Sequence, residues 1–220
     1  MMTDLTPPPL VDQMKIATSK HHRLAETSGI VHDILLKKTT IEAYTLYLRN
    51  LHVIYTALER PFRKTSKETK LVKPFLNEML LRTRSIEVDL DLLSGSRQWR
   101  SLAILESCKA YLSHINTIRT EMPIALLGHI YVRYLGDMNG GQVLERLLKQ
   151  SLNLQNDAYN FYRYPAVTDL ASFRSAYRDM FNIASLSTDD RDRVQETAVK
   201  AFEFNIALSM EINSFVQTRQ

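Results

Sequence analysis

Tyr131-Val132-Arg133-Tyr134-Leu135-Gly136-Asp137-Met138-Asn139-Gly140-Gly141-Gln142-Val143-Leu144 reads as a helix with three glycines inside it. Upstream, Pro123 suits a first helical turn, where its missing N–H costs little, and the apolar spacing continues past the glycines toward Asn153. Each glycine in a helix interior costs roughly 1 kcal/mol against alanine, so three in six residues must be offset by something. A glycine removes the side chain that keeps other groups off the backbone. It therefore permits a bend and the close approach of a flat or bulky ligand, or equally of a second helix. Periodicity leaves both readings open. Asp137 and Asn139 favour the ligand, because polar groups on an otherwise apolar helix need partners and water held in a pocket supplies them.

Outward from this segment, apolar residues recur at three- and four-residue spacing almost throughout, which predicts an all-α fold. A first helix is expected to run to about Ser28, with Gly29 as its stop, followed by a short helix over Ile30 to Lys37. Thr39, three residues before Glu42, has the spacing of a capping box. It would open a long helix carrying Tyr44, Tyr47, Leu48, Leu51, Ile54, Tyr55 and Leu58 on one side, ended or bent at Pro61. Lys73 to Leu93 reads as one or two helices stopping at Gly95, and Arg100 to Arg119 as another. A tyrosine-rich connection, Tyr159 to Pro165, leads to a helix from about Thr168 to Ile183. The last helix opens at Ser187, with Asp190 three residues on, and runs to the C-terminus. No repeat, low-complexity segment or linker interrupts the pattern. One multi-helix bundle over residues 1–220 is expected, with a flexible N-terminal segment at 1–9.

Composition narrows the function. The 220 residues are 45% hydrophobic and 24% charged with 6 Gly and 7 Pro, an ordinary globular balance. The lone Cys108 excludes an intramolecular disulfide or a cysteine zinc site and fits a reducing compartment. The longest stretch without Asp, Glu, Lys or Arg, Met122 to Val132, is eleven residues, short of the ~20 needed to span a bilayer. The N-terminus MMTDLTPPPL is not a secretory signal, so a soluble, cytoplasmic protein is expected. Lys plus Arg exceed Asp plus Glu by 28 to 24. That mild excess suits anionic ligands but, without a basic run, does not indicate nucleic-acid binding. No Glu-x-x-His, His-Glu-x-x-His, Gly-x-Gly-x-x-Gly or phosphate loop is present. The six histidines have no ligand-like spacing, so any metal role would be monodentate, as of one imidazole on haem iron. On the helix with Met14, Ala17 and Leu24, His21 lies on the apolar stripe and His22 about 100° round from it. Periodicity does not choose between the two.

The segment Tyr131 to Leu144 resembles the distal-helix signature of the biliverdin-forming haem oxygenases. The resemblance extends to Ala17 through Glu26, Leu51 through Glu59, Phe161 through Tyr177 and Phe202 through Leu208, and covers about residues 10 to 215. Between Pro61 and Met122 only the helical pattern matches. It implies a fold that holds haem between a proximal helix and a glycine-kinked distal helix. His22 then stands at the proximal iron ligand, because Ala25-Glu26 follows it at the family's spacing. Gly136 and Gly140 stand at the distal glycines, Asp137 at the carboxylate that orders water beside bound oxygen, and Tyr55, Arg133 and Asn205 in the distal hydrogen-bond network. Lys15, Tyr131, Arg174 and Arg178 stand at the propionate contacts, Arg174 where a lysine is common. Ser19 departs from the pattern, which expects a lysine there, and Lys20 follows one place later.

The activity so implied is cleavage of haem, both cofactor and substrate, at its α-meso carbon. The products are biliverdin, carbon monoxide and ferrous iron. Dioxygen is consumed, with electrons from an external donor, a ferredoxin or an NADPH-dependent reductase, since the chain carries no flavin or nicotinamide fingerprint. A non-catalytic haem carrier or sensor would keep His22 and the basic anchors but would have no use for Asp137.

Overall fold

In a computed structural model of the chain, which describes residues 8–63, 70–95, 97–154 and 157–218, every described element is helical. Most of the N-terminal segment expected to be flexible lies outside the described residues. Helices α1 (Leu10–Glu26), α2 (Gly29–Leu35) and α3 (Ile41–Arg63) come first. Two 3-10 turns, Lys73–Phe75 and Glu78–Leu80, lead to α4 (Thr83–Ser94), and a third, Arg97–Ser101, to α5 (Glu106–Glu121). Next, a 3-10 turn Pro123–Ala125, α6 (Leu126–Ile130), a π turn Tyr131–Leu135 and α7 (Gly136–Leu152) follow one another without a break. The turn Asn160–Tyr162, α8 (Leu170–Asn182) and α9 (Thr188–Gln217) complete the order.

The 30-residue α9 is the spine, packing against α1, α2, α3, α5, α6 and the π turn. Its start is as the sequence predicts, with the Ser187 hydroxyl accepting from the Asp190 amide. Two glycines let other helices approach its backbone. A Cβ on Gly128 of α6 would lie 2.5 Å from the Val194 carbonyl oxygen and 2.6 Å from the Ala198 nitrogen. Gly29, with φ +58°, would collide with the backbone of Ser209, so it opens α2 instead of merely stopping α1. There the Ser209 hydroxyl donates to the Ser28 carbonyl at 3.1 Å and accepts from the Val31 amide at 3.2 Å.

The structure departs from the sequence reading at the starts of α3 and α5, and at Pro61 it excludes one of the two expected outcomes. The cap of α3 is Thr40, whose hydroxyl accepts from the Ala43 amide at 3.1 Å, while Thr39 turns its side chain into the protein. Pro61 does not end α3, which continues to Arg63, the turns before it being anchored by fully buried Ile54 and nearly buried Leu58. The helix expected from Arg100 starts only at Glu106. The Asn50 amide of α3 holds 103–105 out of helix, donating to the Ala103 carbonyl at 3.2 Å and accepting from the Leu105 amide at 3.0 Å. The Glu211 carboxylate of α9 then caps α5 by accepting from the amides of Glu106 and Ser107.

The tyrosine-rich connection is fixed by two buried charges. Asp89 of α4 accepts from the amides of Asn160 and Phe161 at 2.8 and 2.7 Å. Arg82 donates to the carbonyls of Leu80, Phe161 and Arg163 and lies 4.1 Å from the centre of the Tyr164 ring. A prediction follows from the α6–α9 contact: Gly128→Ala should lower the unfolding free energy measured in urea by about 3 kcal/mol, because backbone atoms on both sides must move apart.

Candidate functional site

The rod formed by α6, the π turn and α7 positions the distal candidates. A π turn holds one residue more per turn than an α-helix and is common at functional sites. Here it turns Val132, Arg133, Tyr134 and Leu135 all into the protein, so that Arg133, 6% exposed, is a buried full charge.

Arg133 is met on every side by polar groups from other helices. Its Nε donates to the Tyr55 hydroxyl of α3 at 3.1 Å, and its Nη1 donates to Asn205 Oδ1 of α9 at 2.9 Å. Its Nη2 lies 3.8 Å from Asp137 Oδ1. The Tyr55 hydroxyl in turn donates to Asp137 Oδ2. The structure thus joins Tyr55, Arg133, Asp137 and Asn205 into one chain of contacts across four elements.

Electrostatics within this chain oppose one another. Burial pushes the Asp137 carboxyl above the usual carboxylate range, while the Arg133 charge and the Tyr55 hydrogen bond pull it back down. Tyr55 is raised well above an ordinary phenol, first by burial. Arg133 is held protonated despite its burial, chiefly by Tyr55 and Asp137. Asp137 is consequently a buried carboxyl whose affinity for protons is raised by burial beside a permanent cation that opposes the rise.

The three clustered glycines divide between the two readings left open by the sequence. Cβ atoms built on Gly136 or Gly140, one turn apart on α7, meet nothing within 4 Å. Gly141 instead packs on the protein, its Cβ position 3.3 Å from the Tyr162 ring. The exposed Gly136 and Asn139 and the half-buried Gly140 leave bare backbone on the open side of the helix, with Asp137 behind it.

On α1, His22 is exposed, its Nδ1 3.5 Å from Glu26 Oε1 and its ring 5.8 Å from that of Phe202 on α9. His21 is more buried, with Nε2 3.8 Å from Glu203 Oε1. The expected division, His21 toward protein and His22 outward, matches these exposures. Lys15 is exposed two turns before His22 on the same face of α1. Tyr131 rests edge-on against Phe181 at 5.9 Å. Arg174 and Arg178 stand one turn apart on α8, and Arg178 Nη2 lies 3.7 Å from Asp12 Oδ1.

Several supporting residues escaped the sequence reading. The Tyr111 hydroxyl shares a hydrogen bond with His129 Nδ1 at 3.1 Å, its ring is stacked on Phe204 at 4.9 Å, and both feel the Arg133 charge. Burial drives His129 well below the usual imidazole range. Tyr47 lies beside Arg133 as well. Glu59, on the helix of Tyr55, accepts from the amides of Arg82 and Thr83 and from the Tyr134 hydroxyl, tying the π turn to the start of α4. Tyr111 falls on the apolar stripe of α5 and Tyr47 on that of α3. An apolar stripe is the only sequence signal they give, and it marks core as readily as site.

By class, the fold and site define an all-helical protein with a buried network of ionisable groups behind bare helix backbone. Known proteins make this particular. The family model described as Heme oxygenase matches residues 8–211. The chain is 29% identical over 212 residues to the heme oxygenase of Takifugu rubripes, covering 96% of this chain and 76% of that one. It is 29% identical over 203 residues to heme oxygenase 1 of Synechocystis sp., covering 92% and 84%. Its fold matches the crystal structure of heme oxygenase-1 from the cyanobacterium Synechocystis in complex with heme at a TM-score of 0.89 and 27% identity, over 96% of this chain and 95% of that chain. The chain belongs to the haem oxygenase family, enzymes that degrade haem. Among the described residues no helix is long and apolar enough to cross a membrane.

Gly136→Ala and Gly140→Ala should each leave urea stability unchanged or raise it by up to about 1 kcal/mol, because the added methyl has room and the helix gains propensity. A loss like that expected for Gly128→Ala would mean that a second helix, not a ligand, uses that face.

Proposed function

We propose that the chain cleaves haem to biliverdin, carbon monoxide and ferrous iron, with Asp137 moving the proton and His22 holding the iron. The observation that carries the reading is the bare backbone at Gly136 and Gly140 beside the chain from Asp137 to Asn205. The open space over Gly136 and Gly140 is where a macrocycle would lie, since side chains at those two positions would project into it. When bound, haem supplies the iron at which dioxygen is reduced and the ring carbon that is oxidised.

The roles of the residues follow from their surroundings. Glu26 beside Nδ1 orients the His22 ring and leaves Nε2 as the nitrogen for iron. Asp137, its carboxyl raised by burial and pulled back by Arg133 and Tyr55, relays a proton through water. Tyr55 fixes the carboxyl by donating to it, and Arg133, itself held by Asn205, donates to the Tyr55 hydroxyl. Lys15, Tyr131, Arg174 and Arg178 bind the two propionates and so set the rotation of the ring, which selects the α-meso carbon.

Electrons come from a ferredoxin or an NADPH-dependent reductase drawn to the basic surface. A cytoplasmic setting belongs to the same proposal, supported by the single cysteine, Cys108, which permits no intramolecular disulfide.

The test is to add one equivalent of hemin, supply an electron donor in air and follow the visible spectrum. Loss of the Soret band with growth of the broad red absorption of biliverdin is expected. A stable Soret band would make the protein a carrier or sensor. Asp137→Ala should slow the loss by about 10²-fold, and an unchanged rate would refute the proton role. Replacing both Arg174 and Arg178 with alanine should give mixed biliverdin isomers by chromatography, and an unchanged ratio would remove the propionate assignment.

A further inference from the structure

Asp12 is an acid set among the cations proposed to hold the propionates. It lies three residues before Lys15 on α1, and its Oδ1 is 3.7 Å from Arg178 Nη2 on α8. The pairing is imposed by the fold. The amide of the next residue back, Val11, donates to Asn182 Oδ1 at 3.1 Å, and Asn182 is one turn beyond Arg178 on the same helix. Val11 is buried, so the start of α1 is pinned to α8 at this level. Tyr131 shares the neighbourhood. Its hydroxyl is raised by burial, with Arg178 acting to lower it and Asp12 to raise it.

A carboxylate against a guanidinium is also what a propionate on Arg178 would be. Asp12 therefore stands where a ligand carboxylate would seek its partner. We infer that Asp12 is a specificity-determining residue: it holds Arg178 beside Tyr131 when no carboxylate ligand is there, and an incoming propionate must displace it. The pair suits replacement. Its members are 41% and 53% exposed, the regime in which an ion pair contributes little and side chains exchange partners readily. The same competition acts on the product, which keeps both carboxylates, so Asp12 weakens the hold on substrate and product alike and favours release.

This inference rests on the haem reading, and the experiment separates the two. The wild-type protein and Asp12→Asn are titrated with hemin and with hemin dimethyl ester, whose propionate charges are masked, reading the Soret absorbance at low and high salt. Asp12→Asn is expected to bind hemin about two- to fivefold more tightly, with a smaller gain at high salt and no gain for the ester. An unchanged or weakened hemin affinity, or an equal gain for the ester, would overturn the competitor role. A wild-type protein that takes up neither compound would instead remove the haem reading and this inference with it.

Discussion

The Arg133 guanidinium is a permanent charge withdrawn from water, and much of the architecture exists to keep it there. An unpaired charge in a protein interior costs several kcal/mol. Tyr55 comes from α3, Asp137 from α7 and Asn205 from α9, so the three helices must keep their relative positions for the charge to remain solvated by protein groups. Their own supports reach further. Glu59 connects the π turn with α4, and α4 in turn supplies Asp89 to the tyrosine-rich connection. That connection sets Phe161 at 5.6 Å from the Tyr55 ring.

The glycines show how one residue type is used for opposite ends. Gly128 and Gly29 bring helices onto the backbone of α9, and Gly141 seats Tyr162, whereas Gly136 and Gly140 keep space empty. Along α9, Phe202 lies beside His22 and Asn205 beside Arg133. The two sets of functional candidates are therefore referred to points three residues apart on one rigid helix.

The all-helical fold was legible because its spacing is local, and so were the caps at Ser187 and Gly95, where neighbours in sequence are partners in space. The chain of Tyr55, Arg133, Asp137 and Asn205 could be named through the resemblance, and the structure places those residues in contact. What the sequence did not carry was any partnership made by packing. Nothing around Arg100 announces that Asn50 will hold the following strand of backbone extended, and nothing around Tyr111 announces His129. The pairing of Asp12 with Arg178 crosses nearly the whole chain. The π turn is equally silent, because its composition is that of an ordinary apolar helix.

That turn is a phase shifter. Gly128 before it must look toward α9, and Gly136 and Gly140 after it must look away into the open. A uniform helix ties such directions rigidly together at about 100° per residue, leaving no freedom to adjust one face without the other. A single wide turn between them adds a fixed rotation that a uniform helix lacks, so the angle between the half that packs on α9 and the half that carries the open glycine face is stored in the length of five residues.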